Sequence, residues 1–284
     1  MAQTHLGDTK GDQWDEMAKV YQRLTFQTSY GPIGKMLERA NALVPFSEAS
    51  GILDNGCGPG PIMTRLLDEY TIPKSCSLTC TDFSEGMINR VRDQKEEKVK
   101  ADANSPWSRL ETFVQDATDL KDVGNSSKSH ITAGWVYFMT ADPQKCLGES
   151  KRVLKDGGVL SCSSWKGSQW LDMMNLLKQV RPDKTMPEIP EGWREVGLLK
   201  GELEKAGFRD VESYEVDTRM EFERLEPFVD FMLDKMPHMQ MLAKDMSEEE
   251  MSQVKALMME KGREMCSTEP GELSGTALVA VGRK

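Results

Sequence analysis

From about Asp12 to Val44 the apolar positions recur every three or four residues, the spacing of one helix face. The pattern breaks near Gly31-Pro32, where a proline can open a second helix. Short apolar runs and helical stretches then take turns. Gly51-Ile52-Leu53 reads as a strand ending at Asp54, and Ile62, Met63, Leu66, Leu67 and Tyr70 share a helix face. Ser77 to Thr81 reads as a second strand, followed by a helix that Ser84 can cap and that carries Met87, Ile88 and Val91. Thr112 to Val114 and His130 to Val136 give a third and a fourth strand, with a helix from Pro143 to Leu154. Gly157-Gly158 turns the chain into a fifth strand, Val159 to Ser163. A helix over Leu198 to Ala206 stops at Gly207; Val211 to Val216 and Ala277 to Val281 supply the last two strands.

This alternation predicts an α/β fold, a mostly parallel seven-stranded sheet with helices on both faces. The ending departs from it, since a helical insert separates the sixth strand from the seventh, consistent with a final antiparallel pair. We expect one domain over 1–284: N-terminal helices as a cap (1–48), a core (49–217), the insert (218–271) and the last strand (272–284). The insert holds ten of the 19 methionines.

Composition narrows the function. Asp and Glu number 46 against 36 Lys and Arg, a net charge of −10, which disfavours unaided nucleic-acid binding. No apolar run approaches the roughly 20 residues of a membrane span. The N-terminus lacks the layout of a secretory signal, and six cysteines are scattered without CxxC pairing. A cytoplasmic protein with reduced thiols is expected. No His/Asp/Glu cluster has metal-ligand spacing, so no metal is expected. The oligomeric state is left open.

The most informative stretch is Asp54-Asn55-Gly56-Cys57-Gly58-Pro59-Gly60, where a strand delivers the chain to a glycine loop at a helix start. Such a loop lets a ligand approach the backbone. Its spacing is GxGxG, not the GxGxxG of a dinucleotide site. Asp54 would repel a pyrophosphate but suits the ammonium group of an amino acid. Twenty-two residues after Gly60, Asp82 ends the next strand, where a carboxylate can accept both hydroxyls of a ribose. That feature alone fits a nicotinamide cofactor equally well. Thr81 to Met87 and Gln115-Asp116-Ala117-Thr118 are similar to two motifs of a nucleoside-binding methyltransferase family. This similarity implies that Phe83 and Met87 lie near an adenine and that Asp116 accepts from its amino group, with the Ala117 amide nearby.

These stretches, together with Leu154-Lys155-Asp156-Gly157-Gly158-Val159-Leu160, resemble the ordered motifs of the class I S-adenosylmethionine-dependent methyltransferases over Ile52 to Ser163. The resemblance implies a Rossmann-like fold, S-adenosyl-L-methionine as cofactor and S-adenosyl-L-homocysteine as product. It also implies that Asp54, Gly56, Cys57 and Gly58 hold the methionine end of the cofactor, with the Gly134 and Trp135 backbone beside it. Tyr21, on an N-terminal helix, would close over the cofactor carboxylate or the methyl group. The family often has a histidine-bearing stretch after the fourth strand. Here Ala133-Gly134-Trp135-Val136-Tyr137-Phe138-Met139 stands instead, leaving no evident base.

Methyl transfer is an in-line displacement that needs alignment and little else. No catalytic residue is therefore assigned beyond positioning, with Tyr21 and Tyr137 the nearest candidates. Of three histidines, His5 and His130 are assigned no catalytic role and His238 is given none. A thiol acceptor is partly ionised at neutral pH and can do without a base. The expected acceptor wall is aromatic and sulfur-rich: Trp14, Tyr137, Phe138, Met139, Trp165, Trp170 and Met174, with Met173, Phe231 and Met232 as further candidates. The alternative is ordinary core packing.

Leu53-Asp54-Asn55, Ser163-Ser164-Trp165 followed by Trp170, Gly192-Trp193, Glu202 to Val211 and Gly282-Arg283-Lys284 are similar to the fungal dithiol S-methyltransferases of the gliotoxin bis-thiomethyltransferase type. That likeness implies a hydrophobic small-molecule natural product as acceptor, such as a reduced epipolythiodiketopiperazine. O- or N-methylation in secondary metabolism, a cofactor-binding protein that catalyses a rearrangement, and a regulator pairing through the insert are the rival readings.

Overall fold

The computed structural model describes the backbone of residues 18–184 and 186–284, and side chains from residue 27 onward. Trp14 therefore lies outside the described residues, as does the side chain of Tyr21.

Helix α1 (Ala18–Leu43) leads to strand β1 (Gly51–Asn55), α2 (Pro61–Glu69), β2 (Ser77–Asp82), α3 (Glu85–Ala101), β3 (Leu110–Val114) and β4 (Lys128–Ala133). Then come α4 (Pro143–Val153), β5 (Leu154–Ser168), the short helices α5 (Gln169–Met174) and α6 (Leu177–Val180), α7 (Val196–Lys205) and β6 (Arg209–Phe222). Helices α8 (Leu225–Lys235), α9 (Pro237–Ala243) and α10 (Glu248–Met265) precede β7 (Gly271–Arg283).

The seven strands form one sheet in the order β3-β2-β1-β4-β5-β7-β6. Pairs among the first five are parallel, while β7 runs antiparallel to both β5 and β6. Successive side chains of a strand face opposite ways, so Ile52 joins a cluster with Ile33, Met36 and Leu66, and Leu53 joins one with Leu147, Trp193 and Leu199. Helices α1–α3 thus cover one face and α4 and α7 the other. The order reverses between β1 and β4, and ligands of open α/β sheets bind outside the strand ends at such a point.

Three expectations need correction. The break at Gly31-Pro32 does not occur, because α1 runs on with Pro32 inside it. A helical proline frees the carbonyl four residues earlier. Here that is the Thr28 carbonyl, and the Thr218 hydroxyl of β6 donates to it. The fourth strand stops at Ala133, since Trp135 takes φ 56°, outside strand geometry. Strands β5, β6 and β7 extend well beyond their apolar centres. Polar residues such as Asp217, Arg219 and Glu221 pair in register with β7, so the helical part of the insert begins only at Leu225. Pro237 opens α9, and Ser247 with Glu250 forms a capping box that starts α10. Helices α8–α10 build a third apolar cluster against Trp170, Met173 and Leu177, beside the far end of β5.

Candidate functional site

The glycine loop is pinned before any ligand arrives. The Gly56 and Cys57 amides donate to the Thr81 carbonyl at 2.7 and 2.9 Å. Gly56 and Gly58 have φ of 72° and 53°, which glycine adopts without strain. At Gly56 space is also short, since a Cβ there would lie 2.6 Å from Val136 Cγ1. At Gly58 a Cβ would meet nothing within 4 Å, so its backbone faces open space. Gly60 then caps α2 in the left-handed conformation, with Pro61 as first helical residue.

Asp82 ends β2 against this loop. Its Oδ2 accepts the Gly58 amide at 2.8 Å and its Oδ1 the Ser84 amide at 3.0 Å. These two bonds fix the orientation of the carboxylate against the glycine loop and the start of α3. Phe83 beside it is 43 % exposed, a large apolar surface.

Asp54 sits deeper than the sequence suggests. It is fully buried and is not part of the cleft wall. The Thr132 hydroxyl of β4 donates to its Oδ1 at 2.8 Å. Burial pushes its pKa up to about 7, opposed by the Thr132 hydrogen bond, assisted by the nearby Asp82 charge and opposed again by the Met63 backbone amide. The folded chain thus holds this proton more tightly than an unfolded one, whose Asp titrates near 3.8. The ionised form penalises folding, so ligand-free stability should fall as pH rises from about 4 to about 7, by up to about 1.4 kcal/mol per pH unit. Asp54→Asn is expected to flatten that slope in urea unfolding at pH 5 and pH 8. An unchanged slope would remove Asp54 as its source.

A cleft of about 1720 Å³ opens at the ends of β1, β2 and β4. Gly56, Cys57, Gly58, Asp82, Phe83 and Met87 line it, with Asp116 and Ala117 after β3 and Gly134 and Trp135 after β4. Phe138, Met139, Trp165, Trp170 and Met174 line it too, as do Phe231 and Met232 from the insert. Met173 packs instead into the insert's cluster. The aromatic wall is continuous, with ring centroids of Trp135 and Trp165 5.2 Å apart and those of Trp165 and Trp170 5.3 Å apart.

Tyr137 does not belong to this wall. It is fully buried, accepting from Asn55 Nδ2 at 3.1 Å and sharing a 2.5 Å hydrogen bond with the Ser150 hydroxyl. Burial pushes its phenol pKa upward. It neither reaches an acceptor nor serves as a base. His130 is likewise enclosed, bonded to the Val44 carbonyl and to Ser129 Oγ, and stacked on Phe46.

Other cleft residues carried no clear sequence signal. Thr28 and Ser29 reach the cleft from α1, and Gln115 lines it with its Nε2 donating to Asp122 at 2.6 Å. His238 of α9 also lines it, a mostly buried imidazole. Its only trace in the sequence was one histidine in an apolar, methionine-rich segment. Among the described residues no group of three or more His, Cys, Asp or Glu could hold a metal, and no helix is long and apolar enough to cross a membrane.

Residues 52–158 match the family model described as a methyltransferase domain. Methyltransferase ucsB from Acremonium sp is 36% identical over 275 residues, spanning 96% of this chain and 95% of the relative. This chain is a class I S-adenosylmethionine-dependent methyltransferase. Methyltransferase tpcH from Aspergillus fumigatus is 30% identical over 250 residues, spanning 82% of this chain and 84% of that protein. The fold is also that of phosphoethanolamine N-methyltransferase 2 from Haemonchus contortus in complex with S-adenosyl-L-methionine. That structure has a TM-score of 0.53 and 14% identity, over 95% of this chain and 57% of the other.

The methyltransferase site fits its cofactor on its own terms. Gly58 leaves open space, the Asp82 carboxylate is held against the loop, and Phe83 presents an exposed ring to the cleft. When bound, S-adenosylmethionine supplies an electrophilic methyl group on a cationic sulfur. Carboxylates suit that charge, and the loop, Asp82 and Phe83 are the residues that would hold the nucleoside.

Proposed function

We propose that this methyltransferase transfers a methyl group to a large, apolar natural product in a reducing, cytoplasmic setting. A thiol is the favoured acceptor, as in a reduced epipolythiodiketopiperazine whose two thiols are capped in turn. The observation that carries this reading is the second half of the cleft. Its volume exceeds the 300–1,000 Å³ usual for a small-molecule site, leaving room for an acceptor beside the cofactor. Its walls are indole rings and flexible methionines, suited to a bulky apolar ligand. A thiol needs no base to react at neutral pH, and neither Tyr137 nor His130 offers one.

His238 supports a second reading. An imidazole on the cleft wall is a candidate to take a proton from a hydroxyl, which would extend the chemistry to O-methylation. Cofactor carrying a labelled methyl group, tested against thiol, phenol and amine metabolites with mass spectrometry of the products, separates the two. The thiol reading expects label on sulfur with one S-adenosylhomocysteine formed per methyl. Label on oxygen alone would replace it with the second reading. Ligand conversion without S-adenosylhomocysteine would refute methyl transfer itself.

The acceptor wall has its own test. Trp165→Ala is expected to raise the KM for the acceptor about tenfold, from the lost apolar area of one indole, while cofactor affinity stays within twofold. A selective cofactor defect would put Trp165 on the wrong side of the cleft.

A further inference from the structure

Trp135 combines three features that packing alone does not explain. Its φ of 56° is rare for a bulky side chain and costs free energy that surrounding contacts must offset. Ser163 Oγ accepts its backbone amide at 3.1 Å, and the Trp165 indole lies 5.2 Å away at an interplanar angle of 31°, so backbone and ring are both held. Yet the indole N–H that this arrangement fixes is buried and has no acceptor among the described residues. Indole nitrogens usually find a partner when buried, and an unmet buried donor costs as much as a lost hydrogen bond. The residue lines the cleft where the glycine loop meets the aromatic wall.

We propose that the Trp135 indole N–H is the polar anchor of the acceptor site and donates to a carbonyl oxygen close to the atom that is methylated. The ring leans on Trp165 of the aromatic wall, the side of the cleft proposed above to hold the acceptor. A fixed donor set in an aromatic wall gives an otherwise greasy molecule a preferred orientation. The N–H is buried, so a seated molecule reaches it by displacing flexible side chains such as Met139, which packs against the same cluster. The acceptor class is therefore an apolar compound with a carbonyl beside its nucleophile. This deepens the reading above, resting on the apolar half of the cleft as the acceptor site but not on the choice of sulfur or oxygen.

The test uses binding alone, so it stands apart from turnover. The full chain, saturated with S-adenosylhomocysteine, is titrated with 2-acetylnaphthalene and with 2-ethylnaphthalene, which differ only in the carbonyl. Wild type should bind the ketone about three- to tenfold more tightly, the worth of one neutral hydrogen bond. Trp135→Phe, which keeps a ring and removes the donor, should bind both alike. In the 15N-labelled protein the Trp135 indole resonance should move with the ketone and not with the hydrocarbon, a readout that needs no variant. Absence of any preference in wild type, or of binding by either probe, would overturn the proposal. So would a preference retained in Trp135→Phe, or an indole resonance moved by S-adenosylhomocysteine alone, which would hand the donor to the cofactor.

Discussion

Asp82→Ala is expected to weaken S-adenosylhomocysteine binding by more than tenfold, the largest loss of affinity for any single side chain of the site. Two effects add. A buried carboxylate that accepts from a ribose makes charge-assisted hydrogen bonds, each worth about 1.5–3 kcal/mol, against about 1.4 kcal/mol per tenfold change in affinity. The same carboxylate also fixes the glycine loop through Gly58 and the start of α3 through Ser84. Losing it leaves the Gly58 amide without its acceptor and loosens the backbone on which the cofactor rests. Asp82→Asn keeps an acceptor oxygen but not the charge, and should fall between the two. Calorimetry showing wild-type affinity in Asp82→Ala would count against placing the ribose there.

The parts of this molecule legible in the sequence are those governed by local chemistry. Gly56, Gly58 and Gly60 could be read because positive φ and open backbone call for glycine, and all three adopt it. Asp82 was legible because a strand, a carboxylate and a capped helix follow one another within three residues, and Ser84 does accept the Met87 amide. The parts not legible depend on partners distant in the chain. Nothing near Pro32 announces that Thr218 will take up the carbonyl it frees. Strand β6 is an edge strand, so its charged residues did not read as sheet. Asp54 and Tyr137 were both recognised as meaningful residue types near the site, but depth cannot be read from type. Both lie beneath the cleft, Asp54 against Thr132 and Tyr137 between Asn55 and Ser150. His238 reaches the cleft only because the insert folds back beside β5.

Tyr137→Ala is expected to cost about 3–5 kcal/mol of stability, the usual range for removing a large buried aromatic side chain. The ring is fully enclosed and meets Trp193 edge-on at 6.4 Å, within the cluster that joins the sheet to α4 and α7. Its hydroxyl links Asn55, at the end of β1, to Ser150 of α4, and Asn55 in turn accepts from Thr81 of β2. Tyr137→Phe isolates the hydroxyl's share. It keeps the packing and strands the Asn55 amide, so about 1–2 kcal/mol should be lost. Urea unfolding of both variants measures this directly. In the fraction that remains folded, acceptor KM should stay near wild type, because the residue touches no ligand. Full stability in Tyr137→Phe together with a raised acceptor KM would return this tyrosine to the cleft wall. The opposite outcome would show that the segment after β4 divides its work, with Tyr137 holding the strand end in place from below while Trp135 and Phe138 face the cleft.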